Sequence, residues 1–144
     1  MAFTPKPAAH ATLMGAEFQG FDEAAQTVTI HFQVPDAFIT PRGSVQGGLV
    51  AGFLDEAMGW AHTCSTGGKF APLMLEVNFS LLRPVPKAKL LAKGRVVKAG
   101  RRVLFLEAEL FLAKDNTLLA RSTSTAIPTE RPDADENPSE NAPA

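Results

Sequence analysis

Between Gln26 and Val34 the chain alternates, with Val28, Ile30, Phe32 and Val34 falling on one side. A period of two is that of a strand with one buried face. Before it lie roughly 20 residues without comparable periodicity, read as loosely structured. Pro35 and Pro41 bracket a loop. From about Val45 to His62 the chain is apolar nearly all round, interrupted only by Asp55 and Glu56, and this predicts a long helix buried on several sides. Gly67-Gly68 ends it.

From Leu73 the period of two returns. Strands are predicted near Leu73–Leu82, Lys87–Lys98, Arg101–Ala113 and Thr117–Ile127, separated by Pro84/Pro86, Ala99-Gly100 and Lys114-Asp115-Asn116. In the fourth of these five strands Leu104, Leu106, Ala108, Leu110 and Leu112 form a continuous apolar face. The opposite face carries Val103, Phe105, Glu107, Glu109 and Phe111, half apolar as at a subunit interface. Short turns make the later strands neighbours in an antiparallel meander, and the helix must cover one sheet face. The pattern therefore predicts an α+β fold, β-α-β-β-β-β, with a five-stranded antiparallel sheet wrapped on one long helix. One helix cannot cover both faces of such a sheet, so its edge and outer face are expected to meet another copy of the chain.

With 144 residues and 45% hydrophobic content, the chain suffices for one domain with a real core, read as residues 1–127. Among the longest uncharged stretches are Gly43–Leu54 and Ala57–Gly68, twelve residues each, short of the roughly 20 needed for a membrane helix. The start, Met1-Ala-Phe-Thr-Pro-Lys-Pro, has no apolar run of signal-peptide length, and Cys64 is alone, so a cytoplasmic address is expected. Residues Pro128–Ala144 carry five acids against one Arg and read as a disordered, acidic, proline-rich tail, leaving the body at +3. Within the body, Arg83, Lys87, Lys89, Lys93, Arg95, Lys98, Arg101 and Arg102 form a run with no acid among them. Two readings stay open: a solvated sheet face with lysines guarding edges, or a site for a multiply phosphorylated small ligand. A nucleic-acid partner is not indicated, because no motif of that kind accompanies the charge.

The chemistry concentrates in Arg42-Gly-Ser-Val-Gln-Gly-Gly-Leu-Val-Ala-Gly-Phe-Leu-Asp-Glu-Ala-Met-Gly. Gly47, Gly48, Gly52 and Gly59 each cost a helix about 1 kcal/mol relative to Ala, a cost that points to backbone approached closely by something. At the helix start, Gly47 and Gly48 present free N–H groups at the positive end of the dipole, suited to polarising a carbonyl. Asp55 sits mid-helix among apolar residues, where poor solvation raises a carboxyl pKa and makes a candidate base or nucleophile. It could equally cap a loop or pair with a basic residue. Glu56, about 100° further round, is expected to face elsewhere. Gly47 and Asp55 are roughly 12 Å apart along the helix, too far to touch one carbonyl, so if both act they come from different subunits. Ser44, His62 and Asp55 do not have the spacing of a nucleophile elbow. No P-loop or dinucleotide fingerprint is present, and three dispersed His with one Cys give no metal spacing. His62 and Cys64 read as packing and capping residues, Trp60 and Met58 as core.

The segment Gly43-Ser-Val-Gln-Gly-Gly-Leu-Val-Ala-Gly-Phe-Leu-Asp resembles the signature of PaaI-type hotdog-fold acyl-CoA thioesterases, G-x-x-H-G-G followed by an acid seven residues on. Leu75-Glu-Val-Asn-Phe-Ser-Leu-Leu-Arg-Pro-Val and Gly94-Arg-Val-Val-Lys-Ala-Gly-Arg-Arg-Val resemble two later segments of the same family. The resemblance covers roughly residues 25–127 and implies a hotdog domain acting as a dimer or dimer of dimers. It implies Asp55 as catalytic acid and the Gly47 N–H of the facing subunit as carbonyl polariser, beside Gly48. The substrate is then an acyl-CoA, with no metal or redox cofactor and coenzyme A entering only as part of the substrate. Arg83, Lys93, Arg95, Lys98, Arg101 and Arg102 are candidates for its phosphates. An acyl pocket of Phe53, Leu54, Met58 and Met74 fits an aryl or medium-length group. Gln46 and Thr40 stand where such enzymes often carry His and Asn, and Met74 where many carry Ser or Thr. Gln46 can donate a hydrogen bond but is neither acid nor base. Two other readings are a non-catalytic acyl-CoA binding module and a dehydratase of hydroxyacyl thioesters, the latter lacking its usual His at the helix start.

Overall fold

The computed structural model describes residues 3–131. In chain order it contains α1 (Ala9–Leu13), β1 (Glu17–Asp22), β2 (Thr27–Gln33), a 3-10 turn (Asp36–Phe38), α2 (Gly47–Ser65), β3 (Phe70–Leu81), β4 (Lys89–Ala99), β5 (Leu104–Leu112) and β6 (Leu118–Glu130). The strands make one antiparallel sheet in the order β1-β2-β4-β5-β6-β3, with α2 packed on one face.

The sheet has six strands, not five. The additional one, β1, lies in the stretch expected to be loose, as does α1. Its Glu-Phe-Gln-Gly-Phe-Asp sequence hides the strand because a bulge between Phe18 and Gly20 breaks the alternation: Phe18 pairs with Ile30 and Phe21 with Val28, so two residues three apart share the inner face. The C-terminal strand likewise runs beyond the expected boundary at 127, with Pro128 opposite Pro72 and Thr129 opposite Ala71. The acidic tail expected from 128 onward lies, from residue 132, outside the described residues.

The meander holds for β4, β5 and β6, but β3 pairs with β6 at the far edge instead of with β4. Pro84 and Pro86 explain the difference. Each lacks an N–H and keeps its predecessor extended, so the segment crosses the end of the sheet instead of turning back as a hairpin. The Leu82 and Arg83 N–H groups donate to Leu119 O at 2.9 and 3.1 Å, and the Val45 N–H to Val85 O at 2.8 Å, pinning the crossing segment.

The period-two faces are where the pattern places them. Val28, Ile30, Phe32, Leu104, Leu106 and Leu110 are buried beneath α2. Under the middle of the helix the sheet carries small side chains: Ala92, Gly94, Ala108, Ser122 and Ser124. At Gly94 an added Cβ would lie 2.1 Å from Ala57 O, so only glycine permits this approach of helix to sheet. The close approach expected from the helix glycines is thus met on the strand side. Around Gly59, by contrast, a Cβ would find open space.

Candidate functional site

The chain entering α2 is shaped by Thr40 and Gln46. The Thr40 N–H donates to Ser44 O and the Gly43 N–H to Thr40 O, both at 2.8 Å, while Thr40 Oγ1 accepts from the Arg42 N–H at 3.3 Å. Gln46 is the helix N-cap, its Oε1 accepting the Leu49 N–H at 2.9 Å. The Gly47 and Gly48 N–H groups have no protein partner among the described residues and stand free at the positive helix end. Leu81 Cδ1 lies 3.1 Å from where a Gly47 Cβ would be, so β3 walls this end closely.

Two turns along α2, Asp55 opens on a cavity of about 360 Å³. Its other walls come from the N-terminal arm (Phe3, Lys6, His10), from Met74 on β3 and from Arg131 after β6. Asp55 is exposed in the protomer, and the partial cover these walls give moves its carboxyl pKa upward from the ordinary value. The neighbouring Glu56 charge pushes the same way and His10 opposes it.

Glu56 shares this cavity, although its position on the helix predicted that it would face elsewhere. The helix face there is broad, spanning Asp55, Glu56, Gly59, Trp60 and Thr63, because the arm and β3 stand apart from α2. The two carboxylates differ in partners. Glu56 Oε1 accepts from Trp60 Nε1 at 2.6 Å, and Oε2 meets His10 Nε2 at 2.8 Å. Asp55 has no hydrogen-bond or ion-pair partner among the described residues. The free carboxylate is the one available for chemistry. Phe3 closes the rim: its ring lies under the Arg131 guanidinium at 5.3 Å and against Gly68, whose φ of +84° and lack of Cβ make room for it. Nothing in the Phe3–His10 sequence announces these contacts, since they arise only when the arm folds back on α2.

Other expected site residues lie elsewhere. Phe53, Leu54 and Met58 were expected at an acyl pocket but have no exposed surface in the protomer. Phe53 packs between Phe32 and Phe38 at centroid distances of 4.9 and 6.0 Å, and Met58 Sδ accepts from Ser122 and Ser124 Oγ. They pack toward the sheet and do not line the cavity on which Asp55 opens. His62 is buried, with Nδ1 unpartnered and its pKa lowered by burial, while Ser44 lies before the helix, so no triad with Asp55 forms. Burial pushes the Cys64 thiol up to about 11 and leaves it unreactive.

The basic run is divided by the fold. Arg95 bonds Glu107 across β4 and β5 through Nε at 2.7 Å, and Lys93 stands opposite Glu109, which in turn faces Arg121. A hollow of about 680 Å³ over this outer face is lined by the Arg95–Glu107 pair and by Lys93 and Glu109, which stand opposite each other in the ladder. Lys98, Arg101 and Arg102 are exposed around the β4–β5 turn. Arg83 is separate from all of these and shares a cavity with Arg42.

A long helix packed on one face of an antiparallel sheet is the arrangement of the hotdog fold. A family model of the thioesterase superfamily matches residues 42–119, just over half the chain, and the chain belongs to that family. It is similar to a phenylacetic acid degradation-related protein of Ralstonia eutropha JMP134, at 30% identity over 86% of this chain and 92% of that one, with a TM-score of 0.74. The PaaI protein from the phenylacetic acid degradation operon of E. coli shares the fold at 18% identity, 84% coverage of each chain and a TM-score of 0.74. So does smu.793 of Streptococcus mutans, whose structure holds acetyl CoA, at 20% identity, 81% and 90% coverage and a TM-score of 0.71. No curated protein sequence matches the chain. None of the described helices is long and apolar enough to cross a membrane.

Proposed function

We infer that the protein hydrolyses an acyl-CoA thioester, with an aryl or medium-length acyl group, to free acid and coenzyme A. The observation that carries this reading is Asp55: a carboxylate in a walled cavity, without a partner, on the helix whose first N–H groups are free. Its raised pKa makes the carboxylate a better base than an ordinary Asp. As base, Asp55 takes a proton from water as the oxygen adds to the thioester carbonyl. The carbonyl oxygen, gaining charge, is held by the Gly47 N–H of the facing protomer; the C–S bond then breaks and the thiolate takes up a proton. As nucleophile, Asp55 would itself add to the carbonyl and be freed from an anhydride by water.

A pair of protomers is required because Gly47 and Asp55 lie eight residues apart on one helix. The free edge of β3 supports such a pair. It exposes Leu73, Leu75, Phe79 and Leu81 beside unpaired backbone, a surface that a second copy can extend and cover. Met74, on the same strand, would line the acyl end of the site.

The test is thiol release from phenylacetyl-, benzoyl- and C4 to C16 acyl-CoAs, with Asp55→Asn beside the wild type. Turnover with a preferred acyl class, lowered at least about 100-fold by the substitution with the melting temperature kept, is the expected result. One observation favours a second reading, that of an acyl-CoA binder: the Gln46 Oε1 is occupied as helix cap. A ligand-induced rise in melting temperature with no thiol release would select it.

A further inference from the structure

The N-terminal arm runs antiparallel to α2, and three glycines mark its course. Near the start of α2, Met14 Cε lies 3.2 Å from where a Gly52 Cβ would be. Midway along, His10 Nε2 meets Glu56 Oε2 at 2.8 Å. Beyond the helix end the Phe3 ring takes the place of a Gly68 side chain, 2.5 Å from where its Cβ would be. At Gly59, between the last two anchors, a Cβ would meet nothing. The cavity of about 360 Å³ on which Asp55 opens is the space so left, with Phe3 and Pro5 on the arm side, Gly59 and Trp60 on the helix side and Pro72 and Met74 on β3.

The arm is fastened at the far end of this cavity. Phe3 lies under the Arg131 guanidinium at 5.3 Å, Arg131 Nη1 donates to Gly68 O at 2.8 Å, and the Arg131 N–H donates to Lys69 O at 3.1 Å. Pro5 and Pro7 fix their own φ and disfavour helix at the residue before each, so Thr4-Pro5-Lys6-Pro7 bridges the anchors as an extended strip, with Pro5 buried. Along α2 the cavity reaches from Asp55 to Thr63, eight residues or roughly 12 Å. An extended chain advances roughly 3.5 Å for every three bonds, so this length takes an acyl chain of about ten carbons. Polar atoms along the way are engaged: Trp60 Nε1 donates to Glu56 and Thr63 Oγ1 to Gly59 O at 3.0 Å. What faces the space is mostly apolar, as an acyl chain requires.

We propose that Phe3 is a specificity-determining residue: with Pro5 it closes the far end of an acyl groove floored by Gly59, and so limits the acyl chain to about ten carbons. The proposal rests on the acyl-CoA reading and deepens it. Phe3 and Arg131 both lie outside residues 42–119, so the family match does not extend to this end of the site.

The experiment measures thiol release from straight-chain acyl-CoAs of C4 to C16 by wild type, Phe3→Ala, Gly68→Ala and Gly59→Leu, each checked by melting temperature. Wild-type kcat/KM is expected to rise to about C10 and to fall by at least about tenfold at C16. Phe3→Ala recovers at least about tenfold at C16 while changing C4 by less than about threefold. Gly68→Ala, whose methyl group displaces the Phe3 ring, does the same; should it not fold, Phe3→Ala carries the test. Gly59→Leu fills the floor and costs C10 at least about tenfold more than C4. A length profile unmoved by Phe3→Ala, or moved equally at every length, overturns the proposal while leaving the hydrolase intact. Trp60, the one tryptophan of the chain, lies on the cavity wall, so its fluorescence reads binding without turnover. If every thioester is inert, the hydrolase reading fails and fluorescence titration with decanoyl- and hexadecanoyl-CoA decides. Hexadecanoyl-CoA bound at least about tenfold more tightly by Phe3→Ala than by wild type, with decanoyl-CoA bound alike, upholds the closure by Phe3. No such difference, or no binding, overturns it.

Discussion

The two sides of α2 are built on opposite rules. The side against the sheet is closed: Ala57 rests on Gly94 with no room for a methyl group, and Phe53, Leu54 and Met58 have no exposed surface. The side turned away is open: Asp55, Glu56 and Gly59 border a cavity, and a methyl group on Gly59 would meet nothing. One helix thus serves as core and as site wall. A residue's contribution depends on which side it occupies, so substitutions on one side should disturb stability and on the other chemistry.

The strongest test of that division is Gly94→Ala. Its new Cβ collides with helix backbone, which cannot swing aside as a side chain can, so a loss of at least about 3 kcal/mol in unfolding free energy is expected, measured by denaturant titration. Gly59→Ala, by the same measurement, should be neutral or slightly stabilising, because helix propensity improves at no steric cost. Equal effects at the two glycines would erase the comparison. Asp55→Asn belongs to the open side: a loss of at least about 100-fold in kcat corresponds to about 2.7 kcal/mol of barrier, with no loss of stability.

Titration sharpens the picture within the open side. Activity that needs the Asp55 carboxylate falls as pH drops through a pKa above the usual Asp range. Glu56→Gln removes a like charge and should move that acid limb to lower pH; His10→Ala removes the opposing cation and should move it higher. The pH profile of kcat/KM reads both shifts, and opposite signs in the two variants are the required outcome. Among the buried residues of α2 the linked group is His62. Its folded pKa lies below the ordinary 6.5, so below that pH the unfolded chain binds a proton that the folded chain refuses. Stability should therefore fall as pH is lowered from 7 toward 5, and His62→Gln should flatten part of the slope, as melting temperatures across that range would show. The smallest expected effect is at Cys64: with its thiol near 11 and buried, a thiol reagent at pH 8 should leave the folded protein unlabelled and fully active.

Much of this was legible in the residues. The faces of β2 and β5 and most of the extent of α2 follow from local periodicity, because side-chain direction repeats every two residues in a strand and every 3.6 in a helix. β1 was hidden by its bulge, and β3 was set beside the wrong neighbour because a proline-rich connector reads equally as turn or as crossing. The basic run looked unbroken because Glu107 and Glu109, which face Arg95 and Lys93, belong to the next strand. Phe53, Leu54 and Met58 were assigned to a pocket on side-chain type alone, which does not distinguish a core face from a binding face.

By itself, the sequence determined the α+β class, the long helix and the family, all carried by short-range patterns of residue type. Only the tertiary structure decided which charges are already paired, that Glu56 is engaged by His10 and Trp60 while Asp55 is not, and that Arg42 and Arg83 share a cavity. Each of those is a contact between segments distant in the chain. Which segments meet is settled by strand order and crossing, and no local pattern encodes it.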